Sequence, residues 1–283
     1  MIEPWKSYNQ EELERQYNAR DSVADFDFEI ERYRSLSAQS YTECKVIQDL
    51  AYGPATNERI DYFPSEPNAP VFIFVHGGYW RLLGREDSAF MAKAFGQHGI
   101  STAVVEYTLA PEASLDQIVD EIRRAIVWIF TNIKYHGGDP NRLFICGSSA
   151  GAHLSAMALA SGWMKDLSLP SNILKGGLLL SGLYDLEPIR HCKPNEWLQL
   201  DEDAAHINSP QHLIFTPGPK LHISWGGKET DEFKRQSREF LAKLKKAGLQ
   251  VTGSEIEDRN HFNILTDLAD PHRNLFQIVA STI

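Results

Sequence analysis

The run RLFICG at 142–147 is apolar and strand-like, and it passes through Gly147-Ser148-Ser149-Ala150-Gly151 into a helical stretch. This G-x-S-x-G order sets a serine on a sharp strand-to-helix turn. A serine hydroxyl is a poor nucleophile unless a base takes its proton, and helix-terminal amides facing the reacting centre stabilise the charge that then develops. Ser149 has glycine two residues away on both sides, whereas Ser148 does not, so Ser149 is the candidate nucleophile. A glycine-rich turn that serves packing alone is the alternative. His153, four residues into the following helix, reads as a buried structural histidine rather than a base.

A second run, VFIFV at 71–75, ends in His76-Gly77-Gly78-Tyr79-Trp80. Main-chain amides must point at a developing alkoxide, and glycine lets the chain turn them inward. The amides of Gly78 and Tyr79, together with that of Ala150, form the expected oxyanion hole. Gly77 gives the turn its freedom, and His76 is read as holding the loop through backbone hydrogen bonds. The alternative is an ordinary Gly-Gly turn.

A base and an acid must follow the serine. In the chain order nucleophile, acid, histidine, the base falls on His261, in the turn DRNHFNIL after the last strand-like run. His272, beyond a proline that opens the final helix, reads as a surface residue. For the acid, KLHISWGG at 220–227 leads into Glu229-Thr230-Asp231, and Glu229 is the first choice. Asp231 has a ready structural use in the first turn of a helix capped by Thr230. Asp185, at the end of the preceding strand, remains a third candidate. No HExxH, paired helical histidines or cysteine cluster is present, so neither a metal nor another cofactor is expected.

These residues need a scaffold of strands feeding helices. Strand-like runs recur at CKVIQDLAY, ERIDYF, VFIFVHGG, STAVVEY, RLFICG, GGLLLSG, KLHISWGG and VTGSEIED. Helical segments are expected at 87–98, 115–135, 150–161, 230–247 and 271–281. The pattern predicts an α/β fold: a mostly parallel central sheet, an antiparallel edge and helices on both faces. One domain spanning 1–283 is expected, with an N-terminal arm at 1–40. Five prolines interrupt the stretch of about 187–219, which is read as a small cap over the cleft.

A net charge of -10 argues against a nucleic-acid partner, and the chain contains no apolar window long enough to span a membrane. The 3 cysteines form no disulfide framework. A cytoplasmic protein acting on a small-molecule substrate is expected, with a homo-oligomer left open.

At HGGYW, SSAG, SGLYDL and the His261-Phe262 pair, the sequence resembles the kynurenine formamidase (arylformamidase) branch of the α/β-hydrolases, and the leader ELERQYNARDSV extends the likeness over nearly the whole chain. The resemblance implies a triad of Ser149, Glu229 and His261, with glutamate where the animal enzymes carry aspartate. It implies a serine hydrolase that cleaves an aryl formamide such as N-formylkynurenine. A short-chain carboxylesterase would use the same residues, and a catalytically silent binding protein would be expected to lack Ser149 or His261. Trp80, directly after the oxyanion loop, is expected to bind substrate by narrowing the cleft; the alternative is that it points inward and supports the loop.

Overall fold

The computed structural model describes residues 4–283. In chain order, α1 (Gln10–Tyr17) and α2 (Phe26–Glu43) precede β1 (Ile47–Ala51), β2 (Arg59–Phe63), β3 (Ala69–Val75), α3 (Ala92–Gly96), β4 (Ser101–Val105), α4 (Leu115–Asn132), β5 (Gly138–Ser148) and α5 (Ala150–Leu159). The chain continues through α6 (Trp163–Asp166), β6 (Leu174–Leu180), α7 (Asn195–Leu198), α8 (Glu202–Ile207), β7 (Lys220–Gly226), α9 (Asp231–Lys246), β8 (Val251–Ile256) and α10 (Asn274–Thr282). The strands form one 8-stranded sheet in the order β1-β2-β4-β3-β5-β6-β7-β8. β1 and β2 are antiparallel to their neighbours, and β4, β3 and β5 to β8 run parallel.

Every residue of β3 is buried, as a central strand covered on both faces requires. Its side chains divide by the two-residue period of a strand. Val71, Ile73 and Val75 join one core cluster with Ile118, Ile122 and Ile126 of α4 and Leu154 of α5, while Phe72 and Phe74 join another with Phe95 of α3 and Phe276 of α10. Each such fully buried side chain contributes about 1.5–3 kcal/mol over its exposed state. On α4 the buried positions recur at helical spacing, and the helix opens on a capping box in which Ser114 and Gln117 satisfy each other's backbone amides.

Two helices differ from the sequence reading. The segment expected at 87–98 is α-helical only at α3, because the amide of Ala89 donates to Ser37 Oγ of α2 instead of to a preceding carbonyl, and Gly99 ends the segment with a φ of +74°. The last helix starts at Asn274, three residues later than expected. The segment at 187–219 carries the short helices α7 and α8.

Hydrogen bonds fasten α1 across the body, among them contacts to α9, to the segment before it and to the loop after β3. Tyr17 Oη donates to Glu232 of α9 at 2.7 Å, Thr230 Oγ1 donates to the carbonyl of Gln16 at 2.6 Å, and Tyr79 Oη donates to the carbonyl of Tyr17.

Candidate active site

β5 delivers Ser149 to the start of α5 with φ 55° and ψ -121°, a conformation that a non-glycine residue holds only when its surroundings enforce it. The enforcement is steric and hydrogen-bonded. A Cβ on Gly151 would lie 2.1 Å from the carbonyl oxygen of Val75, so the turn packs directly on the end of β3, and the Ser149 amide donates to Leu180 of β6 at 2.8 Å. Ser149 is 7% exposed and Ser148 3%.

The HGG loop lies against this turn. A Cβ on Gly77 would sit 2.8 Å from the carbonyl of Ser148 and 3.4 Å from Ser149 Cβ, so only glycine permits the approach. Gly78, Tyr79 and Trp80 have positive φ values of 98°, 52° and 57° in succession. The loop is locked from behind by His76, whose Nδ1 meets the Gly77 carbonyl at 3.0 Å and whose Nε2 meets Glu106 at 3.1 Å, with its ring stacked 4.2 Å from Tyr107. This is the loop-holding place expected of His76. Burial would raise the Glu106 carboxyl, but the His76 bond and charge and the amides of Arg85 and Tyr107 outweigh it and hold the group below its ordinary range.

Glu229 and His261 come together from the ends of β7 and β8. His261 Nδ1 bonds Glu229 Oε2 at 2.9 Å, and the two side chains are 4% and 0% exposed. Ser181 Oγ donates to the other carboxylate oxygen at 2.6 Å, and the Gly226 amide donates to that oxygen as well. The carboxylate therefore takes part in three hydrogen bonds, which fix its direction. Phe233 packs on the imidazole with ring centres 4.3 Å apart.

The other acid candidates lie elsewhere. Asp231 is in the first turn of α9, 78% exposed and paired with Lys234, and Asp185 accepts from the amide of Glu187 at the start of the 187–219 segment. His272 is exposed.

One assignment is corrected. Trp80 does not line an open cleft: its indole is fully buried, and its Nε1 donates to His153 Nδ1 at 3.2 Å. The positive φ at Trp80 turns the side chain under the loop, where it supports the glycines from the core. His153 Nε2 in turn donates to the carbonyl of Asn208 at 2.7 Å, which leaves Nδ1 as the acceptor for the indole. Burial pushes His153 down from the ordinary 6.5 to about 4, so the ring is neutral, as both bonds demand. The segment at 187–219 reaches the loop through Trp197, whose Nε1 donates to the Tyr79 carbonyl at 3.0 Å, while Leu198 and Leu200 are buried in the core.

Two parts of the site escape a sequence reading. Ser181, the hydroxyl residue just past the end of β6, opens the SGLYDL run, but nothing in that run assigns its hydroxyl to the acid. The contribution of α1, which reaches Thr230 beside Glu229 and Tyr79 on the loop, depends on contacts between residues far apart in the chain. Among the described residues no group of three or more histidine, cysteine or carboxylate residues is placed to hold a metal, and no helix is long and apolar enough to cross a membrane.

A family model described as BD-FAE matches residues 62–174, the stretch from β2 through the HGG loop and the serine turn to the start of β6. The kynurenine formamidase of Danio rerio is 32% identical over 293 residues, covering 99% of this chain and 98% of that relative. A solved structure from Silicibacter sp. TM1040 matches 96% of this chain and 98% of its own with a TM-score of 0.83 at 24% identity, and a hyperthermophilic esterase from Pyrobaculum calidifontis matches 96% and 94% with a TM-score of 0.70 at 16% identity. The structural likenesses carry the fold and the near full-length sequence likeness carries the family: this chain is a hydrolase of the α/β-hydrolase fold and belongs to the kynurenine formamidase family.

Proposed function

We propose that the protein hydrolyses an aryl formamide of the N-formylkynurenine type through a formyl-enzyme intermediate. The observation that carries the reading is the buried pair of His261 and Glu229 in a chain that matches a kynurenine formamidase from end to end. Ser149 Oγ attacks the formyl carbon while His261 Nε2 takes its proton, and Glu229, held by Ser181 and Gly226, orients the imidazole and stabilises the imidazolium. The amides of Gly78, Tyr79 and Ala150 receive the oxyanion. Collapse of the tetrahedral intermediate breaks the C–N bond as His261 hands its proton to the aniline nitrogen. Water, activated by the same histidine, then cleaves the formyl ester and releases formate.

We place the enzyme in the cytoplasm, in tryptophan catabolism, acting on a free small molecule; its three unpaired thiols suit a reducing compartment. The test is steady-state hydrolysis of N-formylkynurenine beside formyl, acetyl, butyryl and octanoyl esters of one phenol, with fluorophosphonate labelling of Ser149. Formamide cleavage with a steep fall beyond short acyl chains supports the proposal. Octanoyl turnover equal to acetyl, with no formamide cleavage, would leave a general carboxylesterase, and absence of labelling would leave a binding protein.

A further inference from the structure

We infer that Arg81 is a specificity residue that binds a carboxylate on the leaving-group side of the substrate; this rests on the formamide reading above. Arg81 follows directly on the HGGYW loop, and its amide donates to the Gly78 carbonyl at 3.0 Å. That bond closes a turn, so the Arg81 Cα lies within about 7 Å of the Gly78 Cα. Gly77, next to Gly78, packs so closely on the serine turn that a Cβ there would lie 3.4 Å from Ser149 Cβ. Arg81 is thus carried on the same tight loop as the candidate oxyanion amides.

Its direction is set by the cap. The guanidinium centre lies 4.7 Å over the Trp197 ring, and the same indole is bonded to the Tyr79 carbonyl at 3.0 Å, so the cation is seated on the seam between the cap and the oxyanion loop. Arg81 is exposed and has no carboxylate partner among the described residues. In this acidic chain Arg85, Arg124, Arg190, Arg235 and Arg259 pair with carboxylates, whereas Arg81, like Arg32 and Arg59, does not among the described residues. A guanidinium stacked on one face still presents its edge donors, which match the two oxygens of a carboxylate. The substrate class that uses such a seat is an aryl formamide whose ring carries an anionic side chain, with the formyl group at Ser149 and the carboxylate at Arg81.

The test compares N-formylkynurenine with formanilide, the neutral ring without the side chain, in wild type and in the exposed-site variants Arg81→Gln and Arg81→Lys. The expected result is a loss of about 10- to 100-fold in kcat/KM for N-formylkynurenine in Arg81→Gln, mostly in KM, with formanilide within about twofold and partial recovery in Arg81→Lys. An equal loss on both substrates would make Arg81 a support of the loop, and no loss on either would also overturn the inference. If wild type cleaves neither formamide, the formamide reading fails by itself. Carboxylate recognition is then read from inhibition of short-ester hydrolysis by kynurenine against 2-aminoacetophenone: weaker kynurenine inhibition in Arg81→Gln alone supports it, and equal inhibition of both proteins overturns it.

Discussion

His153 makes the stability of this fold depend on pH in a way that a single substitution removes. In the unfolded chain a histidine takes up a proton near 6.5, whereas in the fold burial holds His153 down at about 4. Between those values the unfolded state binds the extra proton, so folding stability is fully present above 6.5 and is lost as pH falls toward 4. A protonated ring would also turn an N–H toward the Trp80 N–H, the opposite of what that bond needs. Integrating the two titrations gives a loss of about 2–3 kcal/mol between pH 7.5 and pH 4.5 from this one group. Glutamine at 153 keeps a donor and an acceptor but nothing that titrates. Urea midpoints measured from pH 7.5 to 4.5 should therefore fall more steeply in wild type than in His153→Gln, and the gap between the two curves should close by roughly that amount. The carboxylates of the chain are common to both proteins and cancel in the comparison. Curves that stay parallel to within about 0.5 kcal/mol would refute a buried neutral His153.

Three further outcomes are expected. Ser149→Ala loses on the order of 10⁶ in turnover together with fluorophosphonate labelling, while Ser148→Ala retains most of both; wild-type rates in Ser149→Ala would remove the nucleophile. Glu229→Gln lowers kcat by about 10⁴, and Asp231→Asn, which alters only an exposed carboxylate, costs less than about tenfold; the reverse order in the two variants would move the acid. Trp80→Phe leaves His153 Nδ1 without its donor and lowers stability by about 1–3 kcal/mol in denaturant titration, with KM unchanged; a KM effect without a stability loss would return the indole to the cleft.

The sheet and the site residues differ in how readable they are. The apolar runs at β3 to β8 alternate with helical segments, of which α4 and α9 have a clear 3.6-residue period, so the parallel sheet and its helical layers follow from the pattern. Ser149 is readable because the turn that holds it needs glycine at fixed offsets, and the pairing of Glu229 with His261 because two strand ends bring them together. The direction of Trp80 is not readable, since it depends on three successive positive φ angles that no residue type announces at Tyr79 and Trp80. α3 is shorter than its pattern because a side chain 52 positions away, Ser37, competes for the amide of Ala89.

The seat of α1 has a consequence for how the protein is made. Its bond from Tyr17 to Glu232 joins residues 215 positions apart, and the bond from Thr230 to Gln16 joins residues 214 apart. At a ribosomal rate of about 5–20 residues per second, α1 leaves the exit tunnel roughly 10–40 s before α9 exists to receive it. Through that interval the Tyr17 ring, buried against Phe233 in the finished fold, lacks its destination on α9. The clasp over the loop that carries Glu229 closes only after α9 has been translated, so α1 is seated long after it is made.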